Sequence, residues 1–264
     1  MTRPPSILFR ALACLLYGFL YLPIGVVVLH SFNAARRGGP WAGFTLEYYR
    51  TLLESPEKLS AVQNTLTLAI ASTALSTLLG TMLGYGLSRH SLPGKRLFAW
   101  LLYLPVMIPD IVAAVAMLIC FSAVRDRLGL LELGLPTMII AHVTFQIPFV
   151  AIVIRSRLAG LDPAMEEAAH DLGADGWQAF RHVTLPLMAP GILAAAALSF
   201  TLSIDDFVVS FFTAGPGSTT LPILIYSSVK RGITPEINAL STLIVLASVA
   251  GTLLAVRFQR REPA

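Results

Sequence analysis

Pro190-Gly191-Ile192-Leu193-Ala194-Ala195-Ala196-Ala197-Leu198-Ser199-Phe200-Thr201-Leu202-Ser203-Ile204 carries no charge, and the apolar run resumes past Asp205 and Asp206 to Phe212. Its apolar residues are continuous, whereas a membrane barrel strand alternates lipid-facing with lumen-facing residues. A bilayer core of about 30 Å takes roughly 20 apolar residues as a helix, and Pro190 to Phe212 has that length. Five further stretches resemble it: Phe9 to His30, Asn64 to Leu87, Leu97 to Phe121, Pro136 to Ile154 and Ile237 to Val256. The expectation is an all-α membrane protein with six transmembrane helices in a single transmembrane domain, 1–264.

Composition agrees. With 55% hydrophobic and 13% charged residues in 264, and a mean hydropathy of +0.72, the chain is too apolar for a soluble domain of this size. Six spans put both termini on one side. That side holds Arg3, Arg10, Arg89, Lys95, Arg96, Arg155, Arg157, Arg181, Arg257, Arg260 and Arg261, eleven of the nineteen Lys and Arg. The short loops at Lys95-Arg96 and Arg155-Arg157 belong to it, so the positive-inside rule makes it cytoplasmic. A pI near 9.3 then reflects orientation in membrane lipid. No soluble basic face is left for nucleic acid. The first run is longer than a secretory core and lacks a small-x-small cleavage site, so it reads as a retained anchor. Cys14 and Cys120 fall inside spans and read as small buried residues, with no disulfide or metal site.

Between the first two spans, Ser31 to Gln63 is long for a connector; with Trp41, Tyr48 and Tyr49 it suits the outer membrane interface. Ser72, Ser76, Gly80 and Gly84 form a small-residue stripe, repeated at Ala247, Gly251 and Ala255, which lets another helix approach closely, whether from this chain or from a second subunit. Gly215-Pro216-Gly217 ends the fifth span. Leu221 to Val229 fits a half-helix dipping in from outside, and Thr234-Pro235-Glu236 is a strong start for the last span.

The polar insert 158–189 separates the fourth and fifth spans. Asp162-Pro163 opens a helix that Gly173 stops, and Asp175 with Gln178 resembles a capping box that opens a second, ending near Pro186. Glu166, Glu167, His170 and Asp171 would leave a polar surface on the first helix, opposite an apolar face of Met165, Ala168, Ala169 and Leu172. Trp177, Phe180 and Val183 give the second an aromatic contact area. Helix physics alone allows an interfacial linker lying on its own membrane helices or a docking element.

The spacing Glu167-Ala168-Ala169, three residues, Gly173, nine residues, Val183, one residue, Leu185-Pro186 resembles the coupling-loop signature of binding-protein-dependent ABC importer permeases. The stretches His142 to Phe149, Ser203 to Phe207 and Pro235 to Thr242 are similar to the second permease subunit of spermidine/putrescine importers. The resemblance implies a type I ABC importer permease fold with both termini cytoplasmic, as a multi-pass protein of the bacterial inner membrane. It also implies a homologous permease subunit, two cytoplasmic ATPase subunits and a periplasmic substrate-binding protein as partners. Glu167, Ala168, Ala169, Gly173, Leu185 and Pro186 would couple to the ATPase.

The chain has no Gly-x-x-x-x-Gly-Lys-Ser/Thr loop, so ATP and Mg would be used by the partner ATPase, with no cofactor bound by this chain and no catalytic residue in it. Acids within spans are functional candidates because a mid-bilayer charge costs at least about 2.5 kcal/mol. Asp110, Asp205 and Asp206, with Phe207 and Tyr226 as aromatic walls, form a candidate pathway for a polyamine, a chain of amines joined by methylenes. Each acid has a plainer reading: Asp110 as a cap after Pro109, and Asp205 and Asp206 as solvated residues at a helix end. Neighbours on a helix point about 100° apart, so one of Asp205 and Asp206 would line the path while the other pairs or caps. His142 and Gln146 share a face and would hydrogen-bond across helices or meet substrate. The alternative solutes are an iron chelate, a phosphonate or an anion. An intramembrane enzyme using His142 with Asp110 or Asp205 lacks both the His-Glu-x-x-His and the Gly-x-Ser-x-Gly pattern.

Overall fold

The computed structural model describes residues 7–35, 39–90, 93–232 and 234–259. In chain order the helices are α1 (Ile7–His30), α2 (Glu47–Glu54), α3 (Pro56–Arg89), α4 (Lys95–Leu101), α5 (Leu104–Met107), α6 (Asp110–Leu128), α7 (Leu135–Ala159), α8 (Ala164–Asp171) and α9 (Gly176–Ala179). A π-turn, Phe180–Thr184, leads into α10 (Leu185–Ile204), followed by α11 (Val208–Thr213), α12 (Leu221–Arg231) and α13 (Pro235–Gln259). The only β-type pairing among the described residues is an isolated bridge, Asn33 to Phe44.

Four helical stretches are long and apolar enough to cross a membrane: Ile7–His30, Pro56–Arg89, Leu135–Ala159 and Gly176–Ile204. A fifth crossing requires counting α4–α5 with α6, which are bent by 107°. The third apolar run is therefore not one straight span. Ile108 precedes Pro109, which bars it from the helical region, and it is extended at φ −75°, ψ 132°. The fifth run breaks as well, between Ile204 and Val208. Counting apolar residues misses the first break, and the second falls at Asp205 and Asp206, a charged interruption too short to split the run by count alone.

The chain divides into two compact units, one from residues 1–59 and 224–264, the other from 60–223. In the first, α13 packs beside α1 and α2, and Lys58 pairs with Glu236. The connector after α1 is ordered around Asn33, a buried amide whose Oδ1 accepts from Ala42 N at 2.8 Å and whose Nδ2 donates to Gly39 O at 3.2 Å. Phe32 stacks on Phe44, with Tyr49 alongside. The loop expected over Ser31 to Gln63 thus gives way to α2 and to eight residues at the start of α3, whose 34 residues outrun the span read from hydropathy. Arg36 and Arg37, and the side chains of Ala247, Gly251 and Ala255, lie outside the described residues.

In the second unit, α7 is the central helix, with α10 packed along it and α6 and α11 beside it. The stripe on α3 faces α7: a Cβ on Gly80 would come within 2.5 Å of Val150 Cβ, and one on Gly84 within 2.9 Å of Ala151 O. Packing within the chain therefore accounts for these glycines. Val150, Ile154, Leu158, Met188 and Ala195 form the core between α7 and α10. Cys14 and Cys120, expected to be buried, are both exposed. No residue of α1 is buried, and α6 buries only Ala114 and Phe121; helices apolar on every side leave no inner face for a thiol to seek.

Candidate coupling and translocation sites

The insert folds as its caps dictate. Asp162 Oδ1 accepts from Ala164 N at 3.0 Å at the start of α8. At its end Ala174 N reaches Ala169 O and Gly173 N reaches His170 O, a Schellman closure that puts Gly173 at φ 89°. Asp175 and Gln178 make the reciprocal capping box, with Gln178 N to Asp175 Oδ1 at 2.8 Å and Asp175 N to Gln178 Oε1 at 3.0 Å. The second helix does not stop near Pro186. Leu185 N bonds Phe180 O five residues back, and this wider turn precedes the residue that has no N–H and crowds the preceding turn. The helix therefore continues through Leu185 and Pro186 into α10.

The faces of α8 differ from those expected. Glu166 turns toward its own chain, where its Oε1 accepts from Thr184 Oγ1 at 2.8 Å and lies 3.1 Å from Arg89 Nη2. Phe180 is also held inward, edge-on to Tyr85 at 5.1 Å and stacked on Trp177 at 5.7 Å. Leu172 is 90% exposed, Trp177 66% and Met165 52%, so this apolar surface does not lie on the chain's own helices. Glu167, Ala168 and Gly173 are exposed with it, while Ala169 is half-buried. The placement follows from helix geometry: Glu166 and Glu167 project about 100° apart, and the ion pair with Arg89 selects which one points inward. Arg157 donates twice to Leu187 O, at 3.1 and 2.9 Å, and its side chain fills the space a Cβ on Gly191 would need.

Asp205, Asp206 and Phe207 form the break between α10 and α11. Asp206 caps α11, its Oδ1 accepting from Val209 N at 3.3 Å and its Oδ2 from Ser210 N at 2.7 Å. Its Oδ2 also lies 3.3 Å from Nε2 of His142, a side chain only 2% exposed. His142 Nδ1 meets Ser203 Oγ at 2.8 Å and Nε2 meets Ser210 Oγ at 3.1 Å. The chain continues from Ser203 to Ser72 at 3.0 Å, and from Ser76 to Gln146 Oε1 at 2.8 Å. Gln146 Nε2 donates to Ser199 O at 3.1 Å and reaches Ser72 Oγ at 3.5 Å. A single proton order satisfies the series: Gln146 to Ser72, Ser72 to Ser203, Ser203 to Nδ1, and Nε2–H to the Asp206 carboxylate. His142 and Gln146 thus hydrogen-bond across α3, α7 and the α10–α11 break.

Asp205 is exposed, and Phe207 lies beside Phe211 at 5.3 Å, with Phe212 edge-on to Phe211 at 5.6 Å. Asp110 is the first residue of α6 and is exposed. Tyr226, in the other unit, carries Lys230 Nζ 4.9 Å above its ring centre, so its face accepts an ammonium. Among the described residues, no group of three or more His, Cys, Asp or Glu could hold a metal. Sequence reasoning missed Glu166, Arg89 and Thr184 as a cluster, and Ser72, Ser76, Ser199 and Ser203 as parts of one network; the serine spacing on α3 and α10 was the available signal.

Long apolar helices, a capped helical insert and a break marked by paired acids describe a multi-pass helical membrane protein. Residues 76–261 match the family described as binding-protein-dependent transport system inner membrane component, and the chain belongs to that family. It is 42% identical over 234 residues to the spermidine/putrescine transport system permease protein PotC of Escherichia coli (strain K12), covering 89% of this chain and 87% of that protein. It is 41% identical over 231 residues to the putrescine transport system permease protein PotI of the same organism, covering 87% and 82%. Among solved structures, a bacterial ABC transporter involved in import of the acidic polysaccharide alginate aligns over 98% of this chain and 96% of its own, with a TM-score of 0.76 at 20% identity; this likeness concerns the fold alone.

Proposed function

We propose that this chain is a permease subunit of an ABC importer that carries spermidine or putrescine across the inner membrane. The observation that carries the reading is the near-full-length similarity to two permeases of polyamine systems. In this reading the chain crosses the membrane six times, with both termini and the insert in the cytoplasm. It works with a homologous permease, two ATPase subunits that use ATP and Mg, and a periplasmic binding protein. Glu167, Ala168, Ala169 and Gly173 meet the ATPase beside the exposed Met165, Leu172 and Trp177, while Leu185 and Pro186 pass the movement into α10. Asp205 is the pathway carboxylate, with Asp110 and Phe207 as further contacts, and Tyr226 in the first unit offers its own ring face to an ammonium. Asp206 fixes the break that presents its neighbour.

The test is uptake by the reconstituted complex. Asp205→Asn should lower spermidine uptake about tenfold or more, on the scale of one lost charge-assisted contact, and leave basal ATP hydrolysis unchanged. Wild-type uptake in that variant would remove Asp205 from the pathway. Failure of the partner binding protein to bind any polyamine would sink the substrate class.

A further inference from the structure

A cavity of about 700 Å³ lies within the second unit, where α3 and α7 end and α4 begins. Three cations line it, Arg89, Lys95 and Arg155, with Ser88, Ser156 and Tyr103 supplying hydroxyls, and no carboxylate is among its lining residues. Arg89 uses Nη2 on Glu166, yet its Nε is buried and has no hydrogen-bond partner. Among the described residues neither Lys95 nor Arg155 has an ion-pair partner, although both are half-buried. A buried donor without an acceptor is costly, and three converging cations repel one another. An anion with several oxygens relieves both.

The walls narrow the choice. Leu87, Ile152 and Leu161 make part of the lining apolar, and the cavity sits at the ends of two membrane-length helices, which under the proposed membrane placement is headgroup depth. Basic pockets between membrane helices on the cytoplasmic side suit anionic lipid headgroups. We propose that this cavity binds the phosphodiester of an anionic glycerophospholipid, with Arg89 Nε, Lys95 and Arg155 donating to its oxygens and the acyl chains leaving along the apolar wall. The inference rests on the membrane placement given under Proposed function. The positive lining repels a polyamine, so this site is distinct from the substrate path. Because Arg89 also holds Glu166 of α8, the lipid would sit one side chain from the coupling insert.

The experiment is native mass spectrometry of the purified transporter complex, titrated separately with phosphatidylglycerol and phosphatidylethanolamine. Wild type should prefer phosphatidylglycerol at least tenfold. Lys95→Gln with Arg155→Gln should weaken that binding about thirtyfold, from two surface charges at roughly the usual worth of each, while Arg96→Gln, outside the lining, should not. No preference in wild type, unchanged binding in the double variant, or release of the lipid by inorganic phosphate would each overturn the proposal, the last by assigning the site to a free anion. The wild-type measurement stands even if the double variant fails to assemble. Because lipid retention is read and uptake is not, failure here leaves the transport reading intact, and failed uptake alone leaves the lipid site intact.

Discussion

Adjacent acids have separate fates at two places in this chain, and in both the partners on one side decide. At 205–206, His142 and the free amides of α11 claim Asp206 and leave Asp205 exposed. At 166–167, Arg89 and Thr184 claim Glu166 and leave Glu167 exposed. The presence of acids in a membrane run was legible in the sequence; which of each pair turns inward was not, because that depends on where α7 and α3 lie. Asp206→Ala strips a buried histidine of its carboxylate and two amides of their acceptor, and should cost about 3 kcal/mol. Thermal unfolding of the detergent-solubilised protein would show it as a fall of several degrees, whereas Asp205→Asn should melt like wild type; equal melting of both would refute the division. At the insert, Glu167→Ala should weaken association with the ATPase and leave the melting temperature unchanged. Glu166→Gln should instead loosen the insert, read as faster backbone hydrogen exchange across 164–172. The reverse pattern would exchange the two roles.

At the level of elements, the caps were readable and the packing partners were not. Asp162, Gly173, Asp175 and Gln178 occupy the roles their local chemistry demands, since a cap depends on residues within a turn of it. The stripe Ser72, Ser76, Gly80, Gly84 marked a close approach without naming the helix that makes it. That helix is α7, and the contact is tight enough to test. Gly80→Val would place Cβ within 2.5 Å of Val150 Cβ, and overpacking of this kind costs about 1–3 kcal/mol. The variant should lower the yield and melting temperature of the folded chain by itself, before any partner is added. Normal folding of the lone chain with lost subunit assembly would move the stripe to an intersubunit contact.

For the molecule as a whole, the long continuous apolar runs dictated an all-helical membrane protein, because backbone polar groups in lipid are satisfied only by helices or closed barrels, and barrel strands would alternate. The number of crossings was less legible, since hydropathy runs unbroken through Ile108-Pro109, and the two acids between Ile204 and Phe207 mark a polar site without showing that the helix breaks there. Topology can be measured with Cys14 and Cys120 replaced by serine. A cysteine at Ala174 should react with a membrane-impermeant reagent only in inverted vesicles, and one at Glu132 only from the outside of whole cells. Labelling of both from one side would discard the six-crossing arrangement. The π-turn at Phe180–Thr184 adds a constraint of rotational phase. A wide turn holds one residue more than an α-turn, and one residue is worth about 100° about the axis. Removing it would spin α10 against the insert and swing Ser199 and Ser203 away from Gln146 and His142. The surplus residue therefore keeps two distant sites on one continuous helix aimed at their respective partners, so a single-residue deletion there should disturb both at once.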